Sequence, residues 1–304
     1  MKKLLWSSLL LAGSFTSVAA GPAPIVGGTQ AQQGEWPDAV ALLGHQGTCS
    51  GTLIAPNVIL TAGHCKAEDL YEAVLDTNNF KGGGGIVAEV QSVTEYPNWE
   101  TSYDVSVVVL TAPVQGVTPR KIASDCTFQT GWMNGAMVHL VGFGATDLNA
   151  EDANTTLREV SVPLTDATCA NGNGCEDSIK PNGEFTAGGS GIDSCNGDSG
   201  GPVYLETPHG AVLVGAVSRS VNAAATLCGD GGIYVRADKI AAWVEQTTGA
   251  YLERDTCSSG GDNTGDDDGM KSDDGGGCDA SGQGSGSLVV IGALAVVIAL
   301  RRRS

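Results

Sequence analysis

The chain has 304 residues, of which 41% are hydrophobic, and its 34 acidic against 16 basic side chains give a formal net charge of −18. A surface of that sign repels nucleic acid and anionic lipid, and we expect no nucleic-acid partner. It attracts basic protein segments modestly, and solubility explains the charge equally well.

The first 20 residues are predicted to be a secretory signal peptide. Two lysines precede an apolar-rich segment from Leu4 to Leu11, and small residues close the stretch at Ala20. A charged start, a short apolar segment and a small-residue end are typical of such a signal, whereas the alternative is a buried N-terminal helix. We therefore expect a mature protein that begins near Gly21 and enters an oxidising compartment.

Residues 25–250 are predicted to form one domain rich in short β-strands. β-Branched runs alternate with glycine-rich turns, as in the apolar stretches at 51–60 and 105–110, and this pattern favours an all-β architecture. One helix is predicted near the end of the domain, capped by Asp238 and stopped by Gly249. Its side chains at helical spacing are Ile240, Trp243, Val244 and Thr247.

Three short motifs carry, in chain order, a histidine, a carboxylate and a serine. His64 follows Thr61-Ala62-Gly63, Asp104 opens the apolar run at 105–110, and Ser199 lies within Gly197-Asp198-Ser199-Gly200-Gly201. A serine hydroxyl becomes a nucleophile when a base removes its proton during attack. His64 is the candidate base, because the other histidines lie in no comparable motif; these are His45, His139 and His209.

The C-terminal part has two compositions. Residues 251–286 are rich in Gly, Ser and Asp and poor in apolar side chains, so they are predicted to be a flexible acidic linker. In the following segment, 287–304, an apolar run at 288–300 ends in an arginine cluster. As a helix that run would span about 20 Å, short of the roughly 30 Å hydrocarbon core, although snorkelling arginines make a thin transmembrane span possible.

The order histidine, aspartate, serine with these flanks resembles the trypsin/chymotrypsin family of serine endopeptidases. The resemblance covers residues 25–248. Further motifs that carry it are Ile25-Val26-Gly27-Gly28, Cys49-Ser50-Gly51, Gly142-Phe143-Gly144 and Gly232-Ile233-Tyr234. It implies an all-β fold of two six-stranded antiparallel barrels with a C-terminal helix, and an acyl-enzyme mechanism.

The resemblance also implies a role for each residue of the motifs. Ser199 would be the nucleophile, His64 the base, and Asp104 the carboxylate that fixes the tautomer of His64. The backbone N–H groups of Gly197 and Ser199 would form the oxyanion hole. Ser218 resembles the family serine whose hydroxyl bonds the buried carboxylate.

Asp193, six residues before Ser199, stands where the family places the base of its primary specificity pocket. A buried carboxylate there favours cleavage after Arg or Lys, whereas the alternative is an ordinary loop aspartate. Gly232 is expected to leave one pocket wall open. The opposite wall departs from the family's Ser-Trp-Gly: Ser220 is expected to narrow the entrance, and Arg219 to repel basic residues further along the substrate.

The resemblance further implies a zymogen. In the family, a freed N-terminal ammonium pairs with the aspartate before the serine, and this pair assembles the oxyanion hole. Here those groups are Ile25 and Asp198, and residues 21–24 are a short propeptide. Because Pro24 precedes Ile25, self-cleavage after Arg or Lys is not expected, and a separate proline-specific or proline-tolerant protease would activate the protein.

Nine cysteines in a secreted chain indicate disulfides, and no Cys/His cluster has the spacing of a zinc site. The pairs implied by the resemblance are Cys49–Cys65 and Cys195–Cys228. Cys169 and Cys175 are close enough in sequence to close a small loop, although the family closes a larger one there. Our prediction for the remainder is Cys126 with Cys257, leaving Cys278 for tail processing.

The C-terminal segment resembles the sorting signals of Gram-negative bacteria of the GlyGly-CTERM and MYXO-CTERM types. The resemblance implies an envelope sorting protease that removes the tail near Gly275-Gly276-Gly277-Cys278, so that the protein is displayed at the surface or released. An uncleaved transmembrane tail anchor is the alternative.

We therefore expect a bacterial, secreted, monomeric serine endopeptidase that acts on protein and peptide substrates without a cofactor or metal. Two alternatives stay open: a catalytically silent binding module with the same fold, and an envelope-displayed structural protein. Silent relatives usually lose a catalytic residue, whereas His64, Asp104 and Ser199 are all retained.

Overall fold

The structure is a computed structural model, and it describes residues 25–256. The predicted signal peptide and propeptide, residues 257–286 of the linker, and the segment 287–304 lie outside this range, as do Cys257 and Cys278. What was predicted for them stays a prediction.

The first barrel is a closed sheet of six antiparallel strands. After the two-residue strand β1 (Thr29–Gln30), its strands are β2 (Ala39–Gly44), β3 (Thr48–Ala55), β4 (Val58–Thr61), β5 (Leu70–Leu75), β6 (Ile86–Glu95) and β7 (Ser106–Leu110). They pair in the order β2-β3-β4-β7-β6-β5, and β5 pairs back onto β2. The apolar stretch 51–60 falls on β3 and β4, which a turn at residues 56–57 separates. Its Leu53 and Ile59 are fully buried in the barrel core.

The second barrel has the same construction. Its strands are β8 (Met137–Gly142), β9 (Arg158–Asp166), β10 (Glu184–Ala187), β11 (Pro202–Thr207), β12 (Gly210–Ser220) and β13 (Gly232–Arg236). They pair in the order β8-β9-β10-β13-β12-β11, pairing of β11 with β8 closes the barrel, and β1 adds to β9. Phe185 and Tyr234 stack in its core with ring centroids 5.3 Å apart. The predicted fold of two six-stranded antiparallel barrels is confirmed.

Two α-helices lie in the described range, α1 (Asp125–Gln129) and α2 (Ala237–Thr248). The predicted C-terminal helix is α2, and Gly249 ends it at φ 70° by donating its N–H to Glu245 O at 2.9 Å. The predicted cap was wrong: Asp238 lies inside the first turn, where its carboxylate accepts hydrogen bonds from Arg236 Nε and Nη2 at 2.9 and 2.8 Å. None of the helices within 25–256 has the length and apolar character needed to cross a bilayer.

A buried ion pair joins the two barrels. Asp38, 1% exposed, precedes β2, and its carboxylate accepts hydrogen bonds from Arg120 Nε at 2.9 Å and from the Tyr204 hydroxyl of β11 at 2.7 Å. The Trp36 ring stacks on Tyr204 at 4.6 Å, and the Arg120 guanidinium lies 4.7 Å from the Tyr204 ring. In this contact between the barrels, called the seam below, the Asp38 carboxylate therefore has both a cation and a hydroxyl as donors, and the rings of Trp36 and Tyr204 pack against them.

Replacing Asp38 with Ala is expected to lower the free energy of unfolding by about 3 kcal/mol, because it leaves a largely buried cation and a buried hydroxyl without their acceptor. Urea denaturation followed by tryptophan fluorescence measures the loss. Glu253→Gln is the matched control, since it breaks the exposed Lys121–Glu253 pair at 3.9 Å and should change stability by less than about 1 kcal/mol. Equal effects of the two substitutions would contradict a special role for the seam.

Candidate active site

A cavity of about 380 Å³ lies where the two barrels meet. The first barrel and its loops contribute His64, Trp99 and Asp104 to its lining, and the second barrel contributes Ser199 and the wall residues Ser218, Arg219 and Ser220. The structure therefore brings the predicted histidine, aspartate and serine to one cavity. Asp193, Gly197 and Gly232 are not among the residues that line it.

His64 and Asp104 form a hydrogen-bonded pair. His64 opens a 3₁₀ helix (His64–Glu68), its backbone N–H donates to Asp104 Oδ1 at 3.0 Å, and its Nδ1 lies 2.9 Å from Asp104 Oδ2. The preceding Gly63 permits this approach, because a Cβ there would lie 2.9 Å from Trp99 Cγ and 3.0 Å from Asp104 Oδ1. Because an ionised carboxylate can only accept a hydrogen bond, the proton of the neutral His64 ring lies on Nδ1, which donates to Asp104. Nε2 of the ring then carries the lone pair and can act as a base.

The protonation of the pair follows from its surroundings. Burial lowers the pKa of His64, but the hydrogen bond and charge of Asp104 outweigh burial and raise this pKa above its ordinary value. Burial raises the pKa of the Asp104 carboxyl, but hydrogen bonds from His64 and Ser218 outweigh it and hold this pKa below the ordinary range. Ser218 Oγ of β12 supplies its bond at 2.7 Å. Asp104 is thus ionised and accepts donors from both barrels.

The loop that carries Ser199 packs closely against the first barrel. Gly200 has φ 77°, and a Cβ there would collide with Thr61 Oγ1 and Ala62 N, just before His64. Ser50 fixes the loop from β3: its N–H donates to Ser199 O at 2.9 Å, and its Oγ donates to Gly197 O at 2.8 Å. Among the described residues, no acceptor takes the N–H of Gly197 or of Ser199, so both donors are available to an oxyanion.

Asp193 is buried beneath the cavity, behind Ser194. Its carboxylate accepts the N–H groups of Ser194 at 2.7 Å and Gly231 at 3.0 Å and the Tyr234 hydroxyl at 3.1 Å. Gly232 adjoins it, since a Cβ there would lie 3.1 Å from Asp193 Oδ1. Burial raises the pKa of Asp193 to about 6, and no cationic side chain within 25–256 pairs with it.

Asp198 is a second buried carboxylate with no cationic side chain beside it in the described range. It accepts the N–H groups of Gly144 at 2.7 Å and Cys195 at 2.9 Å, and burial raises its pKa to about 7. Ile25 is fully buried, and the next residue, Val26, accepts the N–H of Asp193 at 3.1 Å. The start of the domain is therefore packed beside the segment that leads to the serine.

Three disulfides brace these segments, in the pairs that were expected. Cys49–Cys65 holds the 3₁₀ helix of His64 against β3, Cys195–Cys228 holds the serine loop, and Cys169–Cys175 closes a short loop before β10. Cys126 is also disulfide-bonded, and its expected partner Cys257 lies outside the described residues.

Comparison with known proteins decides the family. The family model described as Trypsin matches residues 25–244. The chain belongs to the trypsin family. Its relatives include the trypsin of Saccharopolyspora erythraea, 31% identical over 70% of this chain and 92% of that protein, and chymotrypsin-like elastase family member 1 of Canis lupus familiaris, 31% identical over 62% and 80%. Human serine protease 56 is 30% identical over 80% of this chain and 42% of its own length.

One wall of the cavity in this trypsin-family domain is formed by Ser218, Arg219 and Ser220. Ser220 Oγ donates to Leu227 O at 3.2 Å, and both residues line the cavity. The Arg219 guanidinium is bound by the buried carboxylate of Glu184, although 35% of the Arg219 side chain stays exposed. The negative charge of Glu184 offsets part of the repulsion that Arg219 would exert on a basic substrate.

Two residues that hold the site together, Ser50 and Glu184, lie in no motif of their own. The one sequence signal for Ser50 is its position next to Cys49, whose disulfide with Cys65 brings it near His64. Glu184 carries no local signal, because it resembles any polar residue in a strand until the fold sets it beside Arg219, 35 residues further along the chain.

Proposed function

We propose that this trypsin-family chain is a serine endopeptidase that works through an acyl-enzyme. Ser199 Oγ attacks the carbonyl carbon of the substrate peptide bond while His64 Nε2 takes its proton, and Asp104 stabilises the imidazolium that forms. The imidazolium then gives the proton to the leaving amine, and a water activated by the same ring releases the acyl group. The hydrogen-bonded His64–Asp104 pair in one cavity with Ser199 carries this proposal.

The N–H groups of Gly197 and Ser199 are proposed to bind the oxyanion of the tetrahedral intermediate. Their lack of acceptors within the described residues supports the assignment, since an unpaired donor gains most when negative charge develops beside it. The φ of 95° at Gly197 favours glycine at this position.

The proposed specificity is cleavage after Arg or Lys. A substrate guanidinium or ammonium reaching Asp193 would supply the cation that this buried carboxylate lacks, and would stabilise its ionised form. Several relatives are named elastases. That name is not carried over, because an apolar substrate side chain would leave the carboxylate uncompensated.

Activation is proposed to occur by release of Ile25 as the N-terminus. While Pro24 is attached, Ile25 has an uncharged amide nitrogen, and Asp198 is a buried carboxylate without a cation. A freed ammonium at Ile25 would pair with Asp198 and hold the serine loop in its working conformation. Since Pro24 occupies the residue before the cleaved bond, the activating protease must accept proline there.

The setting of the activity is proposed from the chain ends. Residues 1–20 would direct secretion, and the segment 287–304 would be retained or removed by an envelope sorting protease, leaving the monomeric domain displayed or released. The silent binding module and the displayed structural protein remain the competing functions, and reaction with a serine-directed fluorophosphonate separates them from an enzyme.

Replacing Ser199 with Ala is expected to lower kcat by roughly 10⁵-fold or more, because no other group of the site can form the acyl-enzyme. Hydrolysis of peptide substrates and fluorophosphonate labelling, both on protein beginning at Ile25, measure the effect. Ser161→Ala, on an exposed position of β9, is the control and should behave as the unchanged protein. Substantial hydrolysis by the Ser199 variant would refute the mechanism, and an unlabelled, inactive unchanged protein would favour the silent module.

Replacing Asp193 with Ser is expected to lower kcat/KM for cleavage after Arg or Lys by roughly 10²- to 10³-fold, since a desolvated charge pair is lost. In the unchanged protein, protonation of His64 already lowers kcat/KM on the acid side, and protonation of Asp193 near pH 6 should make the fall steeper for these substrates. A peptide-library profile measures the preference, with Asp177→Ser on an exposed turn as control. Dominant cleavage after apolar residues by the unchanged protein would overturn the assignment.

Protein beginning at Ile25 is expected to be at least about 100-fold more active than protein beginning at Gly21, because an unformed oxyanion hole costs that much. Protein beginning at Val26 has a free ammonium one residue too far along the chain, so it should remain inactive. N-terminal sequencing of naturally active material gives the native start. Full activity in a form that begins at Gly21 is incompatible with this activation route.

A further inference from the structure

Arg219 lines the cavity, yet its hydrogen-bond donors are directed into the protein. Its Nη1 donates to Glu184 Oε1 at 2.7 Å and to Ser218 Oγ at 3.0 Å, and its Nη2 donates to Glu184 Oε2 at 3.1 Å and to Gly174 O at 2.8 Å. A guanidinium has five N–H donors, so four of them are used before any substrate arrives. Arg219 is therefore held in place and cannot fork onto a substrate carboxylate.

Glu184 is the anchor of this arrangement. It is 1% exposed, lies on β10, and its Oε2 also accepts the N–H of Glu176 at 2.7 Å. A carboxylate at that depth is costly unless a cation and further donors satisfy it. Arg219 supplies the cation in a bidentate pair, the geometry that an arginine fork matches best. The pair thereby fixes the side chain of a β12 residue to β10, which lies on the far side of β13 in the sheet, and to the loop that contains Gly174.

The bond from Arg219 to Ser218 determines what the Ser218 hydroxyl does. A hydroxyl has one proton and two acceptor positions. Because Arg219 donates to Ser218 Oγ, the hydroxyl proton is left for Asp104 Oδ2, 2.7 Å away. Asp104 in turn accepts from His64 Nδ1 at 2.9 Å. A continuous chain of hydrogen bonds thus leads from Glu184 through Arg219, Ser218 and Asp104 to the imidazole.

We propose that Arg219, anchored by Glu184, is a positioning residue for the catalytic group: it fixes the Ser218 hydroxyl as a donor to Asp104 and so holds the carboxylate that orients His64. The inference rests on the proposed peptidase function. In this proposal, Arg219, which departs from the family pattern at the cavity wall, acts on turnover and makes no direct contact with the substrate.

The charges of Arg219 and Glu184 should shift the His64 pKa in opposite directions. The groups that face His64 are Asp104 and Glu68, whose negative charges favour the imidazolium, and Arg219, whose positive charge opposes it. Glu184 balances Arg219. Removing Arg219 should therefore raise the His64 pKa, whereas removing the charge of Glu184 should lower it.

The test compares Arg219→Gln with Glu184→Gln in protein beginning at Ile25. For Arg219→Gln, kcat should fall roughly 10-fold, the loss expected for one hydrogen bond to a charged network, with KM within about twofold because Arg219 holds no substrate group. The acid limb of the kcat profile should move to higher pH in Arg219→Gln and to lower pH in Glu184→Gln. Saturating substrate is used because its cation then occupies Asp193, whose titration would otherwise overlap.

Direct NMR titration of the His64 ring, in the Ser199→Ala background, reads the same shifts without turnover. Arg254→Gln is the matched control, because Arg254 forms a similar bidentate pair with Glu245 at 2.9 and 3.1 Å and is not among the charges that face His64. Arg219→Lys keeps the charge but not the fork, so it should reduce kcat with a smaller pH shift.

A fall in kcat at nearly unchanged KM for Arg219→Gln, in protein that stays folded, together with opposite shifts in the two variants, supports the proposal. An unchanged kcat, a fall explained by lost folded protein in the melting curve, or shifts in the same direction overturn it and leave a structural ion pair. If the unchanged protein hydrolyses nothing, the proposed function fails, while the NMR titration still decides the inference about Arg219.

Discussion

The rest of the site depends on the hydrogen bonds that hold the buried carboxylate of Asp104. Asp104 is 6% exposed, so its charge is tolerable only because donors surround it. Those donors come from both barrels: the backbone and ring of His64 from the first, and the hydroxyl of Ser218 from the second. The packing of the two barrels therefore also fixes the orientation of His64. A displacement of either barrel would remove donors from the buried Asp104 carboxylate and destabilise its charged form.

Three buried aspartates show how one residue type acquires different states. The pKa of Asp104 is held low by its donors, whereas burial raises the pKa of Asp193 to about 6 and that of Asp198 to about 7. The last two accept only neutral donors, and no cationic side chain of the described residues pairs with them. Under the proposed function, each lacks a partner from elsewhere: the substrate cation for Asp193 and the freed ammonium of Ile25 for Asp198.

The features that could be predicted from the sequence are those set by neighbouring residues, such as tight turns and helix ends. The turn that carries Ser199 needs glycines, and Gly249 ends α2 because a left-handed residue is required there. Asp238 failed as a cap, because the neighbouring Arg236 binds its carboxylate, a competition that helix propensity does not include. The roles of Ser50 and Glu184 could not be predicted from the sequence because their partners lie far away in it: Ser50 N–H donates to Ser199 O, and Glu184 binds Arg219.

The wall formed by Ser218, Arg219 and Ser220 links selectivity to catalysis. Four donors of Arg219 are used by Glu184, Ser218 and Gly174, so few are left for a substrate. Under the proposed function, selectivity for the residue before the cleaved bond rests mainly on Asp193, a buried carboxylate that no cationic side chain of the described residues pairs with. In the role proposed for it, the Arg219–Glu184 pair acts in positioning and not in recognition. Its location, one hydrogen bond from the group that holds Asp104, is what a residue needs in order to act on the imidazole and not on the substrate.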